Sequence, residues 1–171
     1  GGGVQAPQPF SRDGNANKGP LDDALAFLDY DLDGIFDADS EPSVRTNSEG
    51  FFELTGEAGY ENVPIVVLAD DRTVDASSGA SLSGLVLKAP ASAKVVSLAS
   101  TMIQEAVSAD PSIDLATAEA QVKSAFGLED VADVLSFNPY SLDENASDAD
   151  KKAAMKVEAA SQQVAAVIQS L

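Results

Sequence analysis

The stretch Asp29-Tyr30-Asp31-Leu32-Asp33-Gly34-Ile35-Phe36-Asp37-Ala38-Asp39-Ser40-Glu41 places six carboxylates within thirteen residues, on alternating positions around one glycine. In water such charges repel one another, and an ordered chain holds them together when a cation neutralises them. Calcium takes six to eight hard oxygens at about 2.4 Å. A loop supplies them through alternate residues, because the side chains between them point away. Asp29, Asp31 and Asp33 have that spacing, Gly34 permits a sharp reversal, and the carbonyl of Ile35 is the natural next ligand. Asp37 follows at the ninth position of the loop, and Asp39 and Glu41 compete to close the shell. A solvated acidic turn would account for two neighbouring aspartates, but not for D-x-D-x-D-G-x-x-D followed by a glutamate. The expected ion is Ca2+ rather than Mg2+, which prefers few protein ligands and keeps its water.

The surroundings of the loop are β-like. Ala24–Leu28 is an apolar run that enters it directly and reads as a buried strand. Ser43–Thr46 and Phe51–Leu54 read as strands joined through the Asn47–Gly50 turn, as a hairpin. Val63–Ala69 is the strongest strand, limited at its start by Pro64, and Leu82–Leu87 is the last of this half. The loop therefore has an EF-hand-like ligand order in a β setting. An EF-hand would carry its closing Glu at position twelve, where this chain has Ser40. A second acidic loop holds Asp70, Asp71 and Asp75. These three either complete the same site from a facing loop, with Asp71 or Asp75 reaching in, or hold a second ion, or form a polar loop between strands.

Pro90 marks a change of texture, and beyond it the chain is Ala-rich. Lys94–Ser108 has apolar residues at helical spacing and stops at Asp110-Pro111. Asp114 caps a second helix ending at Gly127, Glu129–Leu135 reads as a short helical turn, and Ser147 opens the last helix with a capping box. In that helix Val157, Ala160, Val164, Val167, Ile168 and Leu171 form one apolar face. The fold class expected is α+β. A linker-like lead-in of residues 1–19 precedes a small antiparallel calcium-binding β-sandwich at 20–89. A helical part of three to four helices at 90–171 then packs on the sandwich. Gly1–Pro9 lacks the apolar core of a signal peptide, and the chain is expected to be cut from something longer.

Composition narrows the function. With 28 acidic and 10 basic residues the net charge is −18, which opposes binding to nucleic acid. Cys, His and Trp are absent. Thiol nucleophiles, disulfides and the usual general base of catalytic triads are thereby excluded. No segment has the length of about 20 apolar residues that a membrane span needs. Ser97, Ser100 and Thr101 have only Lys94 nearby as an activating group, so no enzyme is expected.

A resemblance adds to this reading. The apolar strand, the acidic loop, Glu41-Pro42 and Thr46-Asn47-Ser48-Glu49-Gly50-Phe51-Phe52 resemble a pattern in calcium-binding B-type modules of Gram-positive adhesins and in modules of large RTX adhesins. Ala89-Pro90 followed by Ser97-Leu98-Ala99-Ser100-Thr101, then Ala125-Phe126-Gly127-Leu128 and Asn138-Pro139, resembles the segments that follow the β-module in the RTX adhesins. Leu98-Ala99 stands where that pattern has Pro-Leu. The resemblance implies a secreted, non-catalytic, calcium-stabilised scaffold or display module on a bacterial cell surface. It implies a role in attachment or biofilm formation, a monomeric state, and neighbouring modules of the same long chain as partners. The other reading is a calcium-dependent sugar- or peptide-binding module.

Overall fold

A computed structural model describes residues 7–142 and 144–170. The strands are β1 (Phe10–Asn17), β2 (Leu21–Asp22), β3 (Leu25–Leu28), β4 (Ser43–Arg45), β5 (Phe51–Gly56), β6 (Ile65–Leu68), β7 (Val74–Asp75), β8 (Val86–Ala89) and β9 (Val95–Ser97). The helices are α1 (Leu98–Ala109), α2 (Leu115–Ala125) and α3 (Asp148–Ser170). The chain is α+β, with a four-stranded sheet β4-β3-β6-β8, a three-stranded sheet β5-β1-β9 and a small β2-β7 ladder.

The four-stranded sheet carries the acidic loop. β3 lies at its centre, pairing antiparallel with β4 on one side and β6 on the other. Ala26, Phe27, Leu28, Ile65, Val66 and Val67 are buried. A central strand buried on both faces reads as a continuous apolar run rather than an alternating one, as Ala24–Leu28 does.

Several expectations are corrected. The lead-in contains β1, which pairs antiparallel with β5 and parallel with β9, so that sheet is mixed rather than antiparallel. Its sequence, FSRDGNAN, is polar, but small residues let it lie against its neighbours. A Cβ on Gly14 would stand 2.7 Å from the Lys94 carbonyl oxygen. The first six residues of the expected lead-in lie outside those described.

The Ser43–Leu54 hairpin is not formed either: β4 joins β3 while β5 joins β1. The Asn47–Gly50 turn is present, closed by the Gly50 N–H donating to the Asn47 carbonyl at 2.9 Å. The Gly50 carbonyl accepts the Ala16 N–H at 2.8 Å, which hands the chain over to the other sheet. Gly50 has φ +75°, and a Cβ there would stand 2.4 Å from the Ala16 oxygen.

The helix expected from Lys94 begins later, because Val95–Ser97 is β9. Ser97 then caps α1 in a reciprocal box with Ser100. Asp114 caps α2 as expected, accepting the Thr117 N–H at 2.8 Å. Ser147 Oγ accepts the Asp150 N–H at the start of α3. Residues 129–135 form turns rather than a helical turn. Side chains from Val164 onward in the apolar face of α3 lie outside the described residues.

The helices do not form a separate body. α1 packs against β8, β9, α2 and α3. The buried Ser100 hydroxyl donates to the Lys88 carbonyl at 2.7 Å, fastening α1 to β8. One core cluster runs from Ala16, Leu28 and Leu54 through Leu87 and Leu98 to Leu128 and Ala160.

Candidate metal site

The acidic loop leaves β3 at Leu28 and returns at Ser43, so both its ends are set by strands. The Asp29 N–H donates to the Pro64 carbonyl at 3.1 Å, and the Leu28 N–H donates to the Pro42 carbonyl at 3.3 Å. These anchors put Asp29 and Glu41 side by side at the base of the loop, 4% and 5% exposed. Asp31 and Asp33 form an exposed rim above them. Around this rim the backbone takes left-handed conformations at Leu32 (φ +61°), between the two aspartates, and at Gly34 (φ +73°), just after Asp33. Gly34 accommodates this without cost, whereas a γ-branched leucine does not.

One carboxylate oxygen from each of Asp29, Asp31, Asp33 and Glu41 lies within 4.8 Å of all the others. Glu41 is held by two backbone donors, the Tyr30 N–H to Oε2 at 2.8 Å and the Asp37 N–H to Oε1 at 2.7 Å. Asp29 Oδ2 accepts the Gly34 N–H at 2.9 Å. Asp29 Oδ1 is buried and has no hydrogen-bond partner among the described residues. A buried acceptor removed from water with nothing to bond is costly, and a cation among the four carboxylates would satisfy it. The donor set is all hard oxygen, the chemistry of calcium or magnesium rather than of a thiophilic metal. Among the rim groups, the Asp31 carboxyl is pushed up from its ordinary value. Its hydrogen bond to Asp33 is the largest cause, with desolvation and the Asp33 charge adding to it.

The structure thus brings together four of the nine residues singled out in the sequence. It places Glu41, rather than Asp39, in the group. Asp37 serves the turn: Oδ1 accepts the Asp39 N–H at 3.1 Å and Oδ2 the Ser40 hydroxyl at 2.8 Å. Asp39 is exposed beyond it. Ile35 donates its N–H to Asp33 Oδ1 at 2.9 Å, and its side chain is exposed. None of the three acidic residues of the second loop enters the group. Asp71 accepts the Ser83 hydroxyl at 3.1 Å. Asp75 lies in the β2-β7 ladder, where the Ser77 N–H donates to it at 2.8 Å. Asp70 forms a two-pronged pair with Arg45, both contacts 2.9 Å, and Arg45 also bonds Asp23.

A groove of about 520 Å³ opens beside the loop, lined by Asp29, Asp33, Gly34, Lys88 and Glu105 among others. Lys88 Nζ pairs with Glu105 at 2.7 Å. No sequence signal marks these two, which come from β8 and α1 and meet the loop only through tertiary packing. Lys94 has its ammonium on Asp13 at 2.6 Å, and the Ser97 hydroxyl is taken up in capping α1. No serine–lysine pair forms between them.

No family model, no curated protein and no solved structure matches this chain. No helix among the described residues is long and apolar enough to cross a membrane.

Proposed function

We propose that this chain is a non-catalytic, calcium-stabilised structural and display module of a secreted bacterial adhesin. The observation that carries the metal is the partnerless, buried Asp29 Oδ1 within a group of four converging carboxylates. Calcium would bind Asp29, Asp31, Asp33 and Glu41, with carbonyls and water completing its shell, and would neutralise charges that otherwise drive the loop apart. Because the loop joins two strands of the larger sheet, the ion ties β3 to β4 and makes full stability conditional on calcium. Such a module is less stable where calcium is scarce and reaches its full stability after export.

The adhesin assignment rests on the motif resemblance around Asp29–Phe52 and Ala89–Thr101. In this reading the three- and four-stranded sheets are the leaves of a small β-sandwich. Phe52 and Leu54 share one core cluster with Leu28, Ile65 and Leu87, consistent with that arrangement. The module is a monomer whose partners are neighbouring modules of the same chain, and the −18 charge disfavours nucleic acid.

Terbium, a hard trivalent ion with calcium-like ligand preferences, tests the metal reading. The chain has no Trp, and Tyr30 adjoins Asp29. Exciting tyrosine should give sensitised terbium emission that calcium reverses and that Asp29→Ala abolishes. Absence of sensitised emission, or full emission from Asp29→Ala, overturns the metal reading.

The groove running from Asp29 and Asp33 to Lys88 and Glu105 favours a second reading, a calcium-dependent sugar- or peptide-binding module. Oligosaccharide and peptide arrays probed in calcium and in EDTA decide between the two. Binding that requires calcium selects the second reading, and none selects the first.

A further inference from the structure

Asn17 ends β1 and is 3% exposed. Its Nδ2 donates to Asn138 Oδ1 at 2.9 Å. The same Asn138 oxygen accepts the Tyr140 backbone N–H at 3.0 Å. That second bond fixes which end of the Asn138 amide faces Asn17, and so which end of Asn17 is left over. The remaining atom, Asn17 Oδ1, is buried with no hydrogen-bond partner among the described residues.

Asn17 lines a largely enclosed cavity whose walls include the apolar Val95, Leu128 and Val157 together with the hydroxyl-bearing Ser97 and Tyr140. The free space measures about 10 Å³, close to what a single water requires. Both hydroxyls have an unused proton. Ser97 Oγ accepts the Ser100 N–H at 3.1 Å, and the Tyr140 hydroxyl oxygen accepts the Gly19 N–H at 3.0 Å. Neither donates to a protein acceptor among the described residues. An unused acceptor on Asn17 and unused donors on Ser97 and Tyr140 thus belong to residues lining a space of one water's size, enough for the roughly three bonds that buried waters make.

We infer that this cavity is a binding site for one structural water, which donates to Asn17 Oδ1 and accepts from Ser97 and Tyr140. The water joins the end of β1, the start of α1 and the 138–140 loop, and it completes the polar contacts across the seam between sheet and helices. The site is independent of the acidic loop.

A crystal structure at a resolution that shows ordered solvent tests this. One water should lie within about 2.7–3.2 Å of Asn17 Oδ1, and Asn17→Leu should lack it. In solution, the wild-type chain should show NOEs from a long-lived water to the methyl groups of Val95, Leu128 and Val157, a readout that stands even if Asn17→Leu fails to fold. An empty cavity, or Asn17 Oδ1 bonded directly to a protein donor, overturns the inference. So does the absence of those NOEs.

Discussion

Removing the ion should lower the melting temperature by an amount set by binding linkage. A ligand that binds only the folded state stabilises it by RT ln(1 + [L]/Kd), about 2.7 kcal/mol at a hundredfold excess over Kd. For a chain of this size 1 kcal/mol shifts the midpoint by about 2–4 °C, so calcium should raise it by about 5–10 °C over EDTA. Two features of the metal-free loop supply that affinity rather than adding to it: four carboxylates converge to within 4.8 Å, and Asp29 Oδ1 is buried and unpaired among the described residues, a condition that costs about 1–3 kcal/mol for a buried acceptor.

The assay is thermal unfolding followed by circular dichroism, in calcium and in EDTA at constant ionic strength. Asp29→Asn supplies the decisive comparison. It removes a ligand and one of the four negative charges, so its melt should be the same in both buffers. In EDTA it should melt no lower than the wild type, because it carries less repulsion. A wild-type melt unchanged by EDTA, or a full calcium shift in Asp29→Asn, would refute the reasoning.

Two other outcomes follow from the packing. Arg45 hydrogen-bonds Asp70 and holds its carboxyl at a pKa of about 2. A depressed folded-state pKa contributes stability that is complete above the unfolded value of about 3.9 and is lost as pH falls towards 2. Arg45→Met should flatten that acid limb of stability, measured by urea unfolding between pH 5 and 2 (approximate bounds from the same linkage). Gly50→Ala puts a Cβ 2.4 Å from the Ala16 oxygen at φ +75°. It should destabilise by at least about 1–3 kcal/mol, the cost of the backbone conformation alone, as read from denaturant midpoints at neutral pH.

The legible parts of the molecule are those in which chemistry is local. The alternation of Asp29, Asp31 and Asp33 around Gly34, the apolar run ending at Leu28, and the caps at Asp114 and Ser147 depend on near neighbours and stand in the chain where they act. β1 was illegible because its sequence has neither an apolar run nor alternation. Its strand character comes from β5 and β9, which supply backbone partners from forty and eighty residues away. Val95–Ser97 fits the same 3.6-residue spacing as Leu98, Met102 and Ile103, so spacing alone could not separate β9 from α1. The Asn47–Gly50 turn was visible, but the transfer from one sheet to the other depends on the Gly50–Ala16 contact. In the acidic loop, Glu41 and Asp39 were equal on spacing. Two backbone N–H groups, from Tyr30 and Asp37, hold Glu41 in the group, and Pro42 places it at the mouth of β4.

The most direct test is a crystal structure grown in calcium. One ion should lie within about 2.3–2.6 Å of Asp29 Oδ1, with Asp31, Asp33 and Glu41 also in its shell. Crystals grown in calcium that show Asp29 Oδ1 bonded to water or to a protein donor, with no ion among the four carboxylates, would contradict the account.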